Sequence, residues 1–170
     1  MSKKITSSAT IAETTRFVLP NDTNTLGNLM GGNLLSWLDI NAAIAAHRFC
    51  KRVVVTASVN HVAFEKSIKL GQIVTIVSKV SRSFNSSMEV YSDVYVEDSA
   101  TGEKQKCNEA IYTFVAVDQL GSPIEVPELV PETDLEKERF AGALRRRQLA
   151  LILAKKMKPE DATELRLLFN

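Results

Sequence analysis

The apolar residues of this chain keep two different periods. Between residues 31 and 49, Leu34, Leu38, Ala42, Ala45 and Phe49 recur every three to four positions, the spacing of an α-helix. The segment is apolar nearly all round, which predicts a buried helix, yet it carries one carboxylate, Asp39, between Leu38 and Ile40. Elsewhere the period drops to two. Residues 87–96 are the clearest case: Met88, Val90, Val94 and Val96 alternate with Glu89, Tyr91, Asp93 and Tyr95, so one face of a strand looks inward. Residues 10–19, 53–64, 73–84 and 104–117 are also β-rich. Pro20-Asn-Asp-Thr-Asn24 stops the first strand with turn-forming residues, and a loop rich in Asn and Gly leads to the helix. Gly71 and Ser99-Ala-Thr-Gly102 read as turns between antiparallel neighbours.

After Asp118, Pro123, Pro127 and Pro131 punctuate an extended connector over residues 119–132. Thr133-x-x-Glu136 has the form of a capping box, and residues 135–158 form a mostly charged helical stretch closed by Pro159, with a short last helix after Asp161. The expected organisation is an α+β domain over residues 10–118, the connector, and a C-terminal helical tail over 133–170. Strand, loop, buried helix and four strands, in that order, are satisfied by one antiparallel sheet curled round the long central helix, a hotdog architecture. One such sheet leaves a side of the helix and an edge strand uncovered, so a dimer is the expected completion.

Composition narrows the function. The 170 residues, 45% apolar and 24% charged, suit one ordinary globular domain with an appendage. A net charge of +1 gives no overall attraction to nucleic acid or membrane, so any cationic function is local. Arg145, Arg146 and Arg147 are the dense cationic cluster. Cys50 and Cys107 are too few and too far apart for a disulfide framework or a zinc site, and are expected to be reduced and buried. His47 and His61 lack metal-ligand spacing, and there is no phosphate-binding Gly-rich loop or serine nucleophile elbow. The first residues lack the apolar region of a secretory signal, and no run approaches the ~20 apolar residues that span a bilayer, so the expected compartment is the cytoplasm.

Several motifs occur together in one order: Asn24-Thr-Leu-Gly-Asn-Leu-Met-Gly-Gly32, Leu35-Ser-Trp-Leu-Asp39, Val55-Thr-Ala-Ser-Val59, Phe64-Glu, Leu70-Gly-Gln-Ile, Ser86-Ser-Met-Glu89, Pro127-x-x-x-Pro131-Glu and the Arg-Arg-Arg run. Over roughly residues 10 to 150 the chain thereby resembles the cytosolic acyl-CoA thioester hydrolases. The resemblance implies hydrolysis of fatty acyl-CoA to free acid and CoA without metal or organic cofactor, CoA being part of substrate and product. It implies a homo-oligomer, a dimer at least and a hexamer as a trimer of dimers, with no nucleic-acid or membrane partner.

The residues give that expectation its chemistry. A carboxylate on an apolar helix needs either a partner or solvent. In the resembling enzymes the position of Asp39 holds the acidic residue, either a base for water or a nucleophile; the sequence leaves both open, beside a merely structural pairing. Backbone N–H groups at Gly31-Gly32 can hold an oxyanion at the helix start, Gly32 above all, although family members often carry His where this chain has Met30. Asp39 lies about 10 Å along its helix from Gly32, so one site would draw on two helices of a dimer. Asn24 would hold the water or the carbonyl, or else only shape its turn. The resemblance carries CoA binding onto Ala57, Ser58, Val59, Ser86, Ser87 and Met88, and phosphate binding onto Arg147. A non-catalytic acyl-CoA sensor is the rival reading. It would need a DNA-binding appendage, and no helix-turn-helix pattern precedes the sheet. A hydratase would need a His and carboxylate pair, which the motifs do not supply.

Overall fold

A computed structural model describes residues 3–169. The strands are β1 (Lys4–Thr6), β2 (Ala12–Phe17), β3 (Val53–Ala63), β4 (Ile73–Ser83), β5 (Ser87–Glu97), β6 (Lys104–Val117) and β7 (Glu128–Val130); the helices are α1 (Gly31–Cys50), α2 (Asp134–Leu153) and α3 (Thr163–Arg166). Five strands make one antiparallel sheet in the order β2-β4-β5-β6-β3. Leu34, Leu38, Ala42, Ala45, Ala46 and Phe49 of α1 share a core with Val74, Ile76, Val90, Tyr112 and Phe114 of the sheet, which is the expected hotdog arrangement. The alanines are fully buried and let the helix lie close to the strands.

A small polar network sits within that apolar layer, centred on Asn41 and including Ser78 and Ser92, whose hydroxyls are 2.7 Å apart. Asn41 donates through Nδ2 to the carbonyls of Ala12 and Ile76 and to Ser78 Oγ at 2.7 Å, and accepts from Thr14 Oγ1 at 2.8 Å. A buried amide so satisfied fixes the rotation of α1 over β2 and β4. The helix ends at Lys51, whose left-handed φ of 56° and N–H bond to His47 O close the last turn.

Within one chain the helix is not buried all round; as expected of a single sheet, one side of it and an edge strand stay uncovered, and Gly32, Ser36, Ile40 (53% exposed) and Ile44 (39%) line the open flank. Strand β3 is the free edge of the sheet beside β6, exposed along most of its length and broken by two bulges. Gly71 does not join antiparallel neighbours. The segment after β3 crosses from the free edge to β4, and Gly71, at φ 82°, donates its N–H to Val18 O. Gly102, at φ 72°, lies in the hairpin between β5 and β6, where the Asp98 carboxylate accepts from the Ala100 and Thr101 N–H groups.

The expected connector contains β7, which pairs in parallel with β1 through Ile5 and Leu129. The Thr133/Glu136 capping box is present at the start of α2. That helix stops at Leu153 rather than 158: residues 153–156 are exposed and gain no burial, and Lys155 turns left-handed at φ 57°. It packs on the sheet face opposite α1, burying Glu89 (3% exposed) and Asp93 (6%), the polar half of the β5 alternation. Cys50 and Cys107 are free and buried, and no helix of the described residues is long and apolar enough to cross a membrane.

Candidate active site

Asp39 lies on the border of the open flank of α1, facing the free edge strand. Its Oδ1 accepts a hydrogen bond of 2.8 Å from Thr56 Oγ1 on β3. The carboxylate thus has both the solvent and the partner that its place among apolar neighbours calls for: it is part-exposed and bonded to one hydroxyl. Behind it stands Tyr112 of β6, whose hydroxyl donates to Leu35 O at 3.1 Å, one turn before Asp39. Burial, and next the negative charge of Asp39, push the Tyr112 phenol up to about 12, so it stays protonated and keeps donating.

The start of α1 has different equipment. Asn33 and Leu34 both return their N–H groups to Met30 O, while the N–H groups of Gly31 and Gly32 have no acceptor among the described residues. A side chain at Gly31 would press on the Phe64 ring, 3.3 Å from its Cβ position, whereas Gly32 opens onto free space. The preceding loop folds back on this end, held by Met30 N–H to Asp22 O and Asn33 Nδ2 to Asp22 O. In that loop the Asn24 carbonyl oxygen accepts from the Leu26 and Asn28 N–H groups at 2.9 and 3.2 Å. The turn-forming role thus falls to Oδ1, and the exposed Nδ2 is left as an outward donor. Beside it, Leu29, Gly31, Leu34, Phe64, Ile68 and Asn108 border a cavity of about 280 Å³.

Within one chain, Asn24 and Gly32 share an end of α1, and Asp39 is two turns away, about 10 Å by helix rise. Thr56 is a neighbour of Asp39 that the sequence reading passed over within Val55-Thr-Ala-Ser-Val59. Its signal was a hydroxyl on an otherwise aliphatic run, which β-propensity alone explains just as well.

The CoA candidates divide. Ala57, Ser58 and Val59 lie on the exposed edge, Ala57 in the first β3 bulge and Ser58 and Val59 between it and the second, and Ser58 Oγ donates to Asn60 Oδ1 at 2.6 Å. Ser86 lies in the turn before β5, and Ser87 is the first residue of that strand. Met88 is fully buried, so its side chain belongs to the core and only its backbone could face a ligand. The three arginines do not act as one cluster, because successive helical residues point about 100° apart. Arg146 makes two bonds to the Glu89 carboxylate, at 2.8 and 2.9 Å. Arg147 donates to Ser87 Oγ at 3.0 Å and lies 4.2 Å over the Phe84 ring, a half-buried cation with no carboxylate partner among the described residues. Burial lowers its pKa.

Residues 26–103 match the model of the thioesterase superfamily. YkhA of Bacillus subtilis, named an uncharacterized acyl-CoA thioester hydrolase, is 43% identical over 126 residues, 74% of this chain and 73% of that protein. The acyl-CoA hydrolase of Staphylococcus aureus, solved with butyryl-coenzyme A, coenzyme A and coenzyme A disulfide, is 32% identical with a TM-score of 0.86, covering 99% of this chain and 100% of that one. It has also been solved as variants with one asparagine, one aspartate or one threonine replaced by alanine. An apo-hexameric acyl-CoA thioesterase is 35% identical with a TM-score of 0.86, over 89% of this chain and 97% of that one. The chain belongs to the acyl-CoA thioester hydrolases of the thioesterase superfamily. It spans only 25% of another relative, mouse acyl-coenzyme A thioesterase 11, at 38% identity.

Proposed function

We propose that this protein hydrolyses fatty acyl-CoA to the free acid and CoA, with Asp39 of one subunit and Asn24 and Gly32 of its neighbour forming each site. The observation that carries the reading is a carboxylate held by Thr56 on an uncovered helix flank, beside a free strand edge, while unpaired N–H groups lie at the other end of the same flank. The site separations in the Staphylococcus aureus variants support it. The replaced aspartate follows the asparagine by fifteen positions and the threonine follows the aspartate by seventeen, as Asp39 follows Asn24 and Thr56 follows Asp39.

The thioester oxygen would accept from the Gly32 N–H and Asn24 Nδ2, which stabilise the charge that develops as the carbonyl carbon becomes tetrahedral. Asp39 takes a proton from the attacking water, and the CoA sulfur leaves as the carbonyl re-forms. The Thr56 hydroxyl fixes which carboxylate oxygen remains free to act. Direct attack by Asp39 would use the same geometry and pass through an anhydride. The acyl group enters the cavity beside Gly31. Pantetheine runs along Ala57, Ser58, Val59, Ser86 and Ser87, and a CoA phosphate meets Arg147.

Pairing of the free β3 edges gives the dimer, and the hexameric relative supports a trimer of dimers. A cytoplasmic setting belongs to the same reading, supported by a relative named cytosolic. The test is free-CoA release over a series from acetyl- to long-chain acyl-CoA. Turnover on part of the series is expected; none on any member would turn the reading to a non-catalytic acyl-CoA sensor.

A further inference from the structure

Helix α2 runs antiparallel to β5 and is bonded to it at three points. Arg139 makes two bonds to Asp93 at 2.8 and 2.9 Å, Arg146 two to Glu89, and Arg147 one to Ser87. These β5 residues are two or four apart and so lie on one face. The seven residues from Arg139 to Arg146 rise about 10 Å along a helix. The four from Asp93 to Glu89 extend about 13 Å along a strand, so both bridges form without bending either element. The face of β5 is thus a ruler against which α2 is read in one register.

The clamp at Glu89 is over-determined. Glu89 also accepts from Ser81 Oγ at 2.6 Å, and Arg146 Nη2 returns to Arg139 O on its own helix at 2.9 Å. That return path crosses Gly142: a Cβ there would stand 2.6 Å from Arg146 Nη1. A glycine inside a helix is otherwise a cost, and here it makes room for the guanidinium. The next residue, Arg147, is a half-buried cation with no carboxylate partner among the described residues, bonded to Ser87 at the start of β5.

We propose that Glu89, Arg146 and Gly142 form a positioning device that sets Arg147 for the phosphate of CoA, so that affinity for the nucleotide end of the substrate is tuned from inside the α2–sheet layer. The proposal rests on the reading that Arg147 meets a CoA phosphate. Its sharpest probe is Gly142→Ala in the full-length protein. Alanine favours the helix, but its Cβ collides with the guanidinium end of Arg146 and loosens the bonds to the buried Glu89, so the protein should stay folded with a melting temperature lower by a few degrees. The displaced Arg146 should raise KM for butyryl-CoA about tenfold, with kcat within about twofold, as expected when uniform binding is lost. S-butyryl-pantetheine, which has no phosphates, should show no change in KM. Glu89→Gln should give the same split between the two substrates, and Gly142→Ala with Arg147→Ala should be no worse than Arg147→Ala alone.

An unchanged KM for butyryl-CoA in Gly142→Ala, while Arg147→Ala raises it, would reduce the clamp to a structural staple and overturn the proposal. An equal rise for the pantetheine thioester would overturn it too, as a general distortion. If Arg147→Ala itself leaves KM unchanged at low salt, the phosphate reading fails first and the proposal falls with it.

Discussion

The two faces of the sheet hold their helices by different physics. Against one face, α1 buries leucines, alanines and Phe49, with Asn41 as its polar knot. Against the other, α2 is held by Arg139 on Asp93, Arg146 on Glu89 and Lys79 on Glu136, with Arg139 stacked 3.8 Å over the Tyr91 ring. Each large apolar side chain buried under α1 contributes about 1.5–3 kcal/mol, whereas a desolvated ion pair often breaks nearly even against its own hydration. The apolar face therefore supplies stability and the charged face supplies register. The two functions divide along the same line. Asp39 stands on the flank that α1 leaves open, and the CoA candidate Arg147 stands on the helix whose register the charges fix.

The largest expected effect sits on the open flank. Asp39→Ala should lower kcat for acyl-CoA hydrolysis by about 10²–10⁴-fold, the range of general-base catalysis. The melting temperature should change little, because the side chain is part-exposed and bonded only to Thr56. Loss of folding instead of rate would return Asp39 to a structural role.

Next come the two layers themselves. Phe49 is fully buried under α1, and Phe49→Ala should cost about 3–5 kcal/mol in denaturant unfolding. Arg139→Met should cost about 1–2 kcal/mol, since Asp93 keeps Lys106 at 2.7 Å as a partner. Equal costs would mean that α2 is a stability element after all.

Acid should find the charged layer first. Burial alone would raise Glu109, but bonds from Lys106 and Tyr91 outweigh it and hold the group below its ordinary value. Glu136 is likewise lowered, against its burial, by the Glu132 and Thr133 N–H groups and by Lys79. A carboxylate depressed on folding contributes stability that is complete above its unfolded pKa of about 4.3–4.5 and is lost as pH falls through the folded value. Melting temperature should therefore be flat from pH 7 to about 5 and decline below about 4. Arg139→Met, which spares both carboxylates, should show the same decline from a lower plateau. A fall centred near pH 6 would implicate histidine instead.

These two layers were not equally legible in the sequence. The apolar period of α1 and the alternation along β5 are signals of burial, which a single chain writes plainly, so helix and strands stood out. The charged layer is written in residues that usually mean a solvated face. Glu89 and Asp93 read as the outward half of a strand because α2, which covers them, comes some forty residues later. The Arg145–Arg147 run read as one cationic patch because adjacency in sequence hides the turn of the helix. Strands β1 and β7, three residues each, carry too little pattern to announce a parallel pair. For the site, Asp39 was conspicuous as the lone carboxylate on an apolar helix. Thr56 was silent, since its meaning is a 2.8 Å contact between elements.

The smallest signal decides how the open flank is completed. Gly32 and Asp39 are seven residues apart on one helix, about 10 Å, too far to serve one thioester carbon. If each site takes Asn24 from one subunit and Asp39 from its partner, Asn24→Ala and Asp39→Ala subunits should rescue one another when co-folded. A mixed dimer then carries both lesions in one site and none in the other. Random assortment makes about half of the dimers mixed, so roughly a quarter of all sites, and of the wild-type activity, should return if the sites act independently. Were both residues supplied by one subunit, every site would keep one lesion and the mixture would stay as inactive as its parents. Native mass spectrometry with one variant isotopically labelled establishes that mixed dimers are present. Recovered CoA release then separates a site built across the β3 edge from one contained within a single chain.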